Sequence, residues 1–412
     1  MATAADVNVD AAIRWTVEHA TAGSRWWRER FELAGVDPRS VQGIADLSRL
    51  PFSTKEDLRG SYPLGWAAVP ESELVRIHAS SGTTGKRTVC AYTARDVDDW
   101  ATQFARCFAT AGVTPADRVQ VMVGYGLWTA GAGFQAGAER LGAMVVPTGP
   151  GNVDLQLELM IDLQSTVLCA TSSFALLLAE TIEARGLAGS LATRVGIFGS
   201  ERWGPKMRER IESLLGIETF DIYGLTELYG PGVGIECPAH NGIHYWSDYF
   251  VVEIVDPETT EPVAPGEQGE IVVTTLRKEG MPLIRYRTRD VSRLYTEPCS
   301  CGSPYPRLAQ LTGRTDDMVK VKGVAVFPAQ VETILFRVEG VGPEYQLHIH
   351  REPERGDVMV VRVEADDRPG LQEALVHQLR EGLSVRPEVE LVPHGELPRS
   401  ERKTRRVFDH RE

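Results

Sequence analysis

The sequence predicts an α/β chain in two parts. A large N-terminal domain carries a parallel βαβ sheet with a β-rich subdomain, and a small α+β domain closes the chain. Three observations predict this. From residue 74 to about 220, short apolar runs alternate with helical patterns, as in parallel βαβ units whose sheet is covered on both faces. After Gly224, strand-type runs follow one another with polar turns between them, which points to an antiparallel, partly barrel-like subdomain. The chain has 412 residues, roughly three times the commonest domain size, so one small domain is excluded. A boundary near Gly313 divides it into 1–313 and 314–412, the second a unit of roughly 100 residues, a common domain size.

The elements follow in order. Amphipathic stretches at 11–20 and 25–33 read as helices that Trp26 and Trp27 pack onto the body, and Pro51, Pro63 and Pro70 mark a loop-rich stretch. The alternating region then runs VRIHAS, a helix over 94–111, VQVMVGY, a helix over 129–141 and AMVVPT. It continues with a helix over 153–163, STVLCAT, a helix over 173–186, TRVGIFGS, a helix over 204–214 and IETFDIYG. DYFVVEIVD, GEIVVTT and LIRYRTRDVSRLY are the strands of the β-rich part. LTGRTDDMVKVKG reads as hairpin-like and FPAQVETILFRV as a helix. YQLHIHRE, DVMVVRVEA, a helix over 369–384 and VELVPH complete the small domain.

Composition excludes several function classes. Lys and Arg number 44 against 57 Asp and Glu, a net charge of −13, which argues against a binder of nucleic-acid backbone. No apolar run of about 18 residues is present, so no membrane span is expected. The N-terminal MATAADVNVDAAIRW lacks the charged and apolar blocks of a secretory signal, and a cytoplasmic location is expected. Six cysteines, at 90, 107, 169, 237, 299 and 301, are too sparse for a disulfide scaffold.

The most informative string is ASSGTTGKRT at 79–88, after an expected strand. Glycines and small hydroxyl residues let a backbone approach an anion closely and donate to it. Only Thr83 and Thr84 separate Gly82 from Gly85, so it is not a Walker A loop. Taken alone it also reads as a flexible linker. Five further motifs accompany it in order: FGSE at 198–201, YGLTE at 223–227, YRTRD at 286–290, GRTDDMVKVKG at 313–323 and LPRSERKTRR at 397–406. The set resembles the adenylate-forming superfamily of acyl-CoA synthetases, adenylation domains and luciferases. HASSGTTGKRTVCAYTARDVDDW, GYGL…GAERLGA and RYRTRDVSRL…CSCG are similar, more closely, to the phenylacetate–CoA ligase family. The resemblance runs from about Leu50 to the C-terminus. It implies the adenylate-forming fold, with a mobile C-terminal lid, and a reaction in which ATP activates a carboxylate as acyl-AMP before transfer to coenzyme A.

Residue roles follow from that likeness and from chemistry. The reaction joins two anions, so cationic and hydrogen-bonding groups must offset their repulsion. Ser81, Gly82, Thr83, Thr84, Gly85 and Lys86 suit the β- and γ-phosphates. By resemblance Thr226 touches the α-phosphate and Glu227 holds Mg²⁺, an oxygen ligand for a hard cation. Gly199, Ser200, Glu201, Asp221, Ile222 and Tyr223 frame the adenine. Asp290 offers two acceptor oxygens to the ribose hydroxyls and Arg314 reaches the same sugar or its phosphate; a structural Asp–Arg ion pair is the alternative. Lys403 matches the family lysine that contacts the reacting groups during adenylation, although Arg402 stands where relatives carry Gly. Asp316 matches the hinge about which the lid turns, withdrawing Lys403 and bringing VKG at 321–323 toward the thioester site.

Substrate choice is expected between 121–139 and 223–234. Relatives carry a pattern like GLFTGGLGAHYGAE where this chain reads GLWTAGAGFQAGAE. Trp128, Phe134, Gln135 and Ala136 therefore differ where a ring would sit, with Tyr125 and Gly224 completing the wall; repacking of the helix without a change of specificity is the alternative. The Gln135 amide would meet an amino or hydroxyl substituent. The expected substrate is an aromatic acid, benzoate-like and amino- or hydroxy-substituted, or an arylacetate. Cys237, His244, Cys299 and Cys301, with His240 as a rival ligand, form a set suited to a structural Zn²⁺, as in some family members; free surface thiols are the alternative. Two other functions fit the same motifs: loading of a carrier protein's phosphopantetheine thiol, and nucleotide binding without catalysis. The expected partners are ATP, CoA and the acid, with the chain a monomer or homodimer.

Overall fold

A computed structural model of the chain describes residues 8–80, 87–398 and 406–411. The N-terminal layer is helical: α1 (Val9–Gly23), α2 (Arg25–Leu33) and, after the first prolines, α3 (Lys55–Gly60). Asn8 and Ser24 cap the first two through their side chains, and Thr54 with Asp57 forms a capping box on α3. Trp26 and Trp27 pack tilted against Trp66 at 4.2 and 5.2 Å between ring centroids, which fixes α2 to the body.

Strands β1 (Leu74–Ala79) and β2 (Val89–Thr93) pair antiparallel as a separate two-stranded sheet. The VRIHAS run was expected to open the parallel sheet, so this is a correction. VCAYT supplies the partner strand beside it, and Thr93 ends that strand by capping the next helix. The βαβ series then runs α4 (Ala94–Thr110), β3 (Arg118–Val121), α5 (Thr129–Leu141), β4 (Met144–Val146), α6 (Val153–Asp162) and β5 (Val167–Thr171). α7 (Ser172–Arg185), β6 (Val195–Gly199), α8 (Pro205–Leu215) and β7 (Glu218–Leu225) complete it. Three further strands, β8 (Gly230–Glu236), β9 (Ile243–Tyr245) and β13 (Arg307–Leu308), extend the sheet antiparallel to the order β13-β9-β8-β7-β6-β5-β3-β4. The parallel sheet predicted from alternation is thus five strands of a mixed eight-stranded sheet. One face packs on α4 and α5 through Trp100, Phe104, Phe134 and Val121; the other packs on α6, α7 and α8 through Met160, Phe174, Leu178 and Ile211.

The β-rich part is a four-stranded antiparallel sheet, order β10-β11-β12-β14, from β10 (Phe250–Val255), β11 (Gly269–Thr275), β12 (Tyr286–Ser292) and β14 (Gly313–Arg314). Arg314 therefore still belongs to the first domain's sheet, one residue past the expected boundary. A separate apolar core begins at Val321. It contains the hairpin β15 (Val319–Val321) and β16 (Val324–Val326), then α9 (Pro328–Leu335), β17 (Val341–Glu352), β18 (Gly356–Ala365), α10 (Leu371–Leu383), β19 (Glu388–Val392) and β20 (Val407–Asp409). Its sheet has the order β19-β18-β17-β20, with Leu347, Ile349 and Val361 facing Leu375 and Leu379 of α10.

The two domains touch through α8. Lys206 Nζ donates to the carbonyls of Val338 and Val341, both at 2.8 Å, and Arg202 pairs with Glu332 at 2.9 Å. No helix among the described residues is long and apolar enough to cross a membrane.

Candidate active site

A small cleft opens where β7, β12, α3 and the start of the second domain meet. Lys55, Leu225, Glu227, Tyr286, Arg289, Arg314 and Asp316 are among the side chains that line it. Four residues singled out on distant stretches of sequence thus converge: Glu227 and Arg314 on the wall, Asp316 at the rim, and Asp290 bonded to Arg314.

Glu227 lies in the turn between β7 and β8 and is 3% exposed. Its Oε1 is 3.3 Å from Lys55 Nζ and accepts no hydrogen bond among the described residues. A buried carboxylate oxygen left this way, facing a cleft, fits a hard cation. The turn itself is held from behind. Buried Lys278 donates to the carbonyls of Glu227 and Leu228 at 2.8 and 2.6 Å and lies over the rings of Tyr92 and Tyr229 at 4.6 and 5.0 Å. Burial pushes its ammonium below the usual lysine range. The Tyr92 hydroxyl donates to the Thr226 carbonyl at 2.9 Å, so Thr226 and Glu227 are fixed through their backbones.

Neither Lys55 nor Lys278 was among the residues expected here. For Lys55 a signal existed: the Thr54–Asp57 capping box puts it at the first position of α3. There the helix dipole disfavours a cation, so a compensating anion had to be sought. For Lys278 the sequence offers only a charged residue after a strand.

Asp290, 4% exposed, accepts from Arg314 Nη1 at 2.7 Å and from the Tyr223 hydroxyl at 2.8 Å. Burial raises its carboxyl above the usual range, and the Arg314 guanidinium pulls it part of the way back. The Asp–Arg ion pair left open by sequence is therefore present, and a ribose would share these oxygens rather than find them free. Arg314 also grips Asp316 with two bonds, Nε to Oδ1 at 2.8 Å and Nη2 to Oδ2 at 3.0 Å. Burial opposes its charge, but the two carboxylates outweigh burial and keep it protonated. One guanidinium thus ties the expected hinge residue to the expected ribose ligand.

The adenine-framing residues are near neighbours. Gly199 pairs with Ile222 between β6 and β7, and a Cβ on it would lie 2.4 Å from the Ile222 carbonyl oxygen. Ser200 has φ +70°, a left-handed conformation that costs a non-glycine residue about 1–2 kcal/mol. Glu201 Oε1 accepts from Ser173 N at 2.8 Å and Ser172 Oγ at 3.2 Å, capping α7. Asp221 is pushed up to about 7 by burial and by adjacent Glu236. Tyr223 is buried and keeps its hydroxyl on Asp290, so it is a partner of the carboxylate as well as a ring.

The expected acyl wall separates into two groups. Tyr125 lies in the loop before α5 and Trp128 at its N-cap, and the buried Tyr125 hydroxyl has no hydrogen-bond partner among the described residues. Burial raises that hydroxyl to about 12. Phe134, by contrast, is 2% exposed and packs edge-on against Phe104 and Phe108 at 5.2 and 6.0 Å. It belongs to the α4–α5 interface rather than to an open wall. The Gln135 amide donates to Glu139 at 2.8 Å, an i,i+4 bond on the outer side of the helix. The amide expected to meet a substrate substituent is thus engaged within its own helix. Ala136 is half-buried on the same turn. Gly224 has a structural reason of its own, since a Cβ there would lie 1.8 Å from the Gly230 oxygen across the β7–β8 crossing. None of these six lines the cleft of Glu227.

Cys237, His244, Cys299 and Cys301 come together with ligand atoms all within 4.8 Å of one another. The Cys237 and Cys299 sulfurs are 3.6 Å apart, and Cys301 Sγ is 3.3 Å from His244 Nε2. His244 Nδ1 lies 2.7 Å from the Tyr305 carbonyl, the partner that fixes the tautomer of a metal-binding histidine and leaves Nε2 for the ion. This donor set fits a closed tetrahedral Zn²⁺ site. His240, the rival ligand, is turned away onto Glu218 at 3.2 Å. Ser81, Gly82, Thr83, Thr84, Gly85, Lys86 and Lys403 lie outside the described residues.

Comparison with known proteins agrees with this architecture. Residues 37–276 match the AMP-binding enzyme family and residues 323–411 the AMP-binding enzyme C-terminal domain. Phenylacetate-coenzyme A ligase of Escherichia coli (strain K12) is 42% identical, covering 96% of this chain and 93% of its own length. The enzymes of that name from Pseudomonas putida and Thermus thermophilus are each 41% identical, covering 97% and 93% of this chain and both 92% of their own lengths. Among solved structures, 2-hydroxyisobutyryl-CoA ligase in its postadenylation state, with 2-HIB-AMP, superposes with a TM-score of 0.88 at 28% identity over 98% of this chain and 89% of that one. The same ligase in its thioesterification state gives 0.73 over the same shares. The domain arrangement here is thus nearer the postadenylation one. The chain belongs to the AMP-binding enzyme family, in the branch of the phenylacetate–CoA ligases.

Proposed function

We propose that this chain is an AMP-forming acid–CoA ligase whose acid is aromatic. The observation that carries the reading is the 42% identity, over nearly the whole chain, to a phenylacetate-coenzyme A ligase, with the motif carboxylates and arginine gathered in one cleft. In the first step a carboxylate oxygen bonds to the α-phosphorus of ATP and the bond to the β-phosphate oxygen breaks, releasing pyrophosphate. In the second the CoA thiol sulfur bonds to the acyl carbon, loses its proton, and AMP leaves.

The cleft supplies what the first step needs. Lys55, Arg289 and Arg314 place positive charge where phosphates gather, and Glu227 offers the carboxylate oxygen that holds Mg²⁺. Bound there, Mg²⁺ screens the phosphate charge. Thr226, next to Glu227 on a turn whose carbonyls Lys278 and Tyr92 hold, would offer its hydroxyl to the α-phosphate. By the family motifs, residues 81–86 would meet the terminal phosphates, and Lys403 would stabilise the charge that builds at the α-phosphorus. Asp290 holds the ribose, and Asp316 is the pivot. Cys237, His244, Cys299 and Cys301 would hold a structural Zn²⁺ ion, which would staple the 237–244 loop to the 299–301 turn away from the chemistry.

On the acid, the Tyr125 hydroxyl, without a partner among the described residues, is a polar group that could meet a substituent, beside Gln135. Trp128 beside it supplies an aromatic surface. The test is thioester formation by purified protein with ATP, Mg²⁺ and CoA across phenylacetates, substituted benzoates and short aliphatic hydroxy acids. Aryl-CoA and AMP in equal amounts are expected. A preference for aliphatic acids refutes the aromatic reading, and AMP formation that proceeds only with a carrier-protein thiol favours the carrier-loading alternative.

A further inference from the structure

His348 and His350 occupy alternate positions of β17, so the pleat sends both imidazoles to the face opposite buried Leu347 and Ile349. β20 pairs parallel to β17, and His410, just past its end, donates its backbone N–H to the Ile349 carbonyl at 2.8 Å. That bond sets the third imidazole beside the other two. One ring nitrogen from each of the three lies within 4.8 Å of the others, and all three side chains reach solvent.

The individual contacts suit a shared ion. His348 Nδ1 and His410 Nε2 are 3.1 Å apart. Tetrahedral imidazoles about 2.0–2.1 Å from an ion hold their nitrogens about 3.3–3.4 Å apart, so this pair is nearly at the required span. His348 Nε2 lies 3.1 Å from Gln346 Oε1, an acceptor that holds the proton on Nε2 and leaves the Nδ1 lone pair toward His410. Phe408 stacks on His348 at 4.8 Å and buttresses its ring. The His350 and His410 rings are parallel, 4.5 Å apart at 2°. Ligation requires His350 to turn about its side-chain bonds, a rotamer change open to a solvent-accessible side chain.

We propose that His348, His350 and His410 form a binding site for a borderline divalent transition-metal ion, such as Zn²⁺, Ni²⁺ or Cu²⁺, separate from the cysteine-rich set. Imidazole donors select these ions over Mg²⁺ and Ca²⁺, and three ligands on an open face leave a position for solvent. The ion cross-links β20 to β17. β20 begins at Val407, four residues after Lys403, so occupancy anchors the downstream end of the segment carrying the expected catalytic lysine.

The test is calorimetric titration of the full chain with Ni²⁺ alone, leaving tightly held zinc in place, beside melting curves with and without Ni²⁺. One equivalent is expected to bind and to raise the melting temperature. His350→Ala and His410→Ala should each weaken binding at least tenfold, since even outer-shell partners of a metal ligand are worth about 10–100-fold. The triple variant should lose both the heat and the shift, while His377→Ala, exposed on α10, keeps them. The proposal is overturned if wild type takes up no Ni²⁺, if the triple variant binds as tightly as wild type, or if Cys301→Ser abolishes the binding instead.

Discussion

Replacing Lys278 with methionine keeps most of the side-chain volume and deletes the ammonium that ties down the Glu227 turn. Two buried carbonyls, of Glu227 and Leu228, lose their donor. Each buried acceptor left dry costs about 1–3 kcal/mol, giving about 2–6 kcal/mol for the pair. Relief of the ammonium's own desolvation returns part of this, so a net loss of about 2–4 kcal/mol is expected. At about 2–4 °C per kcal/mol for a domain of this size, the midpoint of thermal unfolding should fall by about 4–16 °C. A merely structural lysine would do only that. A lysine that positions the turn also sets where the Glu227 oxygen meets its cation. Carboxylate-dependent pyrophosphate exchange should then need several-fold more Mg²⁺ for half-maximal rate, by analogy with the 10–100-fold cost of losing outer-shell partners. Wild-type stability would refute the hydrogen-bond reasoning. Lowered stability with an unchanged Mg²⁺ requirement would refute the positioning role.

Lys403→Ala should lower pyrophosphate exchange by about two orders of magnitude or more while transfer from preformed acyl-AMP to CoA stays largely intact, because only the first step uses that charge; equal loss in both assays refutes a lid serving two half-reactions. Purified protein should carry about one tightly held Zn²⁺ per chain, and His244→Ala should lose it and melt earlier, as expected of a closed structural site; metal analysis finding less than about half an equivalent counts against the site. Asp221, at about 7 in the fold against 3.8 for an unperturbed aspartate, binds a proton that the unfolded chain has released. Its contribution is complete below the unfolded value and is lost as pH rises through the folded one. At about 1.4 kcal/mol per tenfold change in proton activity, the loss is capped at about 4 kcal/mol. Urea unfolding at about pH 5 and about pH 8 should show this fall in wild type and a smaller one in Asp221→Asn; identical slopes contradict the assignment.

Periodicity made the middle of the chain legible, because buried parallel strands such as VLCAT and VGIFG are continuous apolar runs between capped helices. It failed at β1 and β2, where pairing depends on a neighbour that follows directly, and at β8, whose glycine-rich GPGVGIE carries little strand signal. Within the site, the gathering of Glu227 and Arg314 at one cleft, with Asp290 bonded to Arg314, was legible only through the ordered motifs that carry the family resemblance. The acyl wall was not. Phe134 and Gln135 stand on one helix, and which face of α5 meets α4 is decided by packing against Phe104 and Phe108, information that no linear string holds. Lys278 escaped notice because its partners are backbone carbonyls about 50 positions away in sequence.

A crystal structure with a stable analogue of an aryl-acyl adenylate tests the convergence of these segments most directly. The account predicts ribose hydroxyls on Asp290, the phosphoryl group beside Thr226 and Glu227, and the aryl ring near Tyr125 and Trp128. An adenylate bound away from the Glu227 cleft, with the Asp290–Arg314 pair untouched, would contradict it.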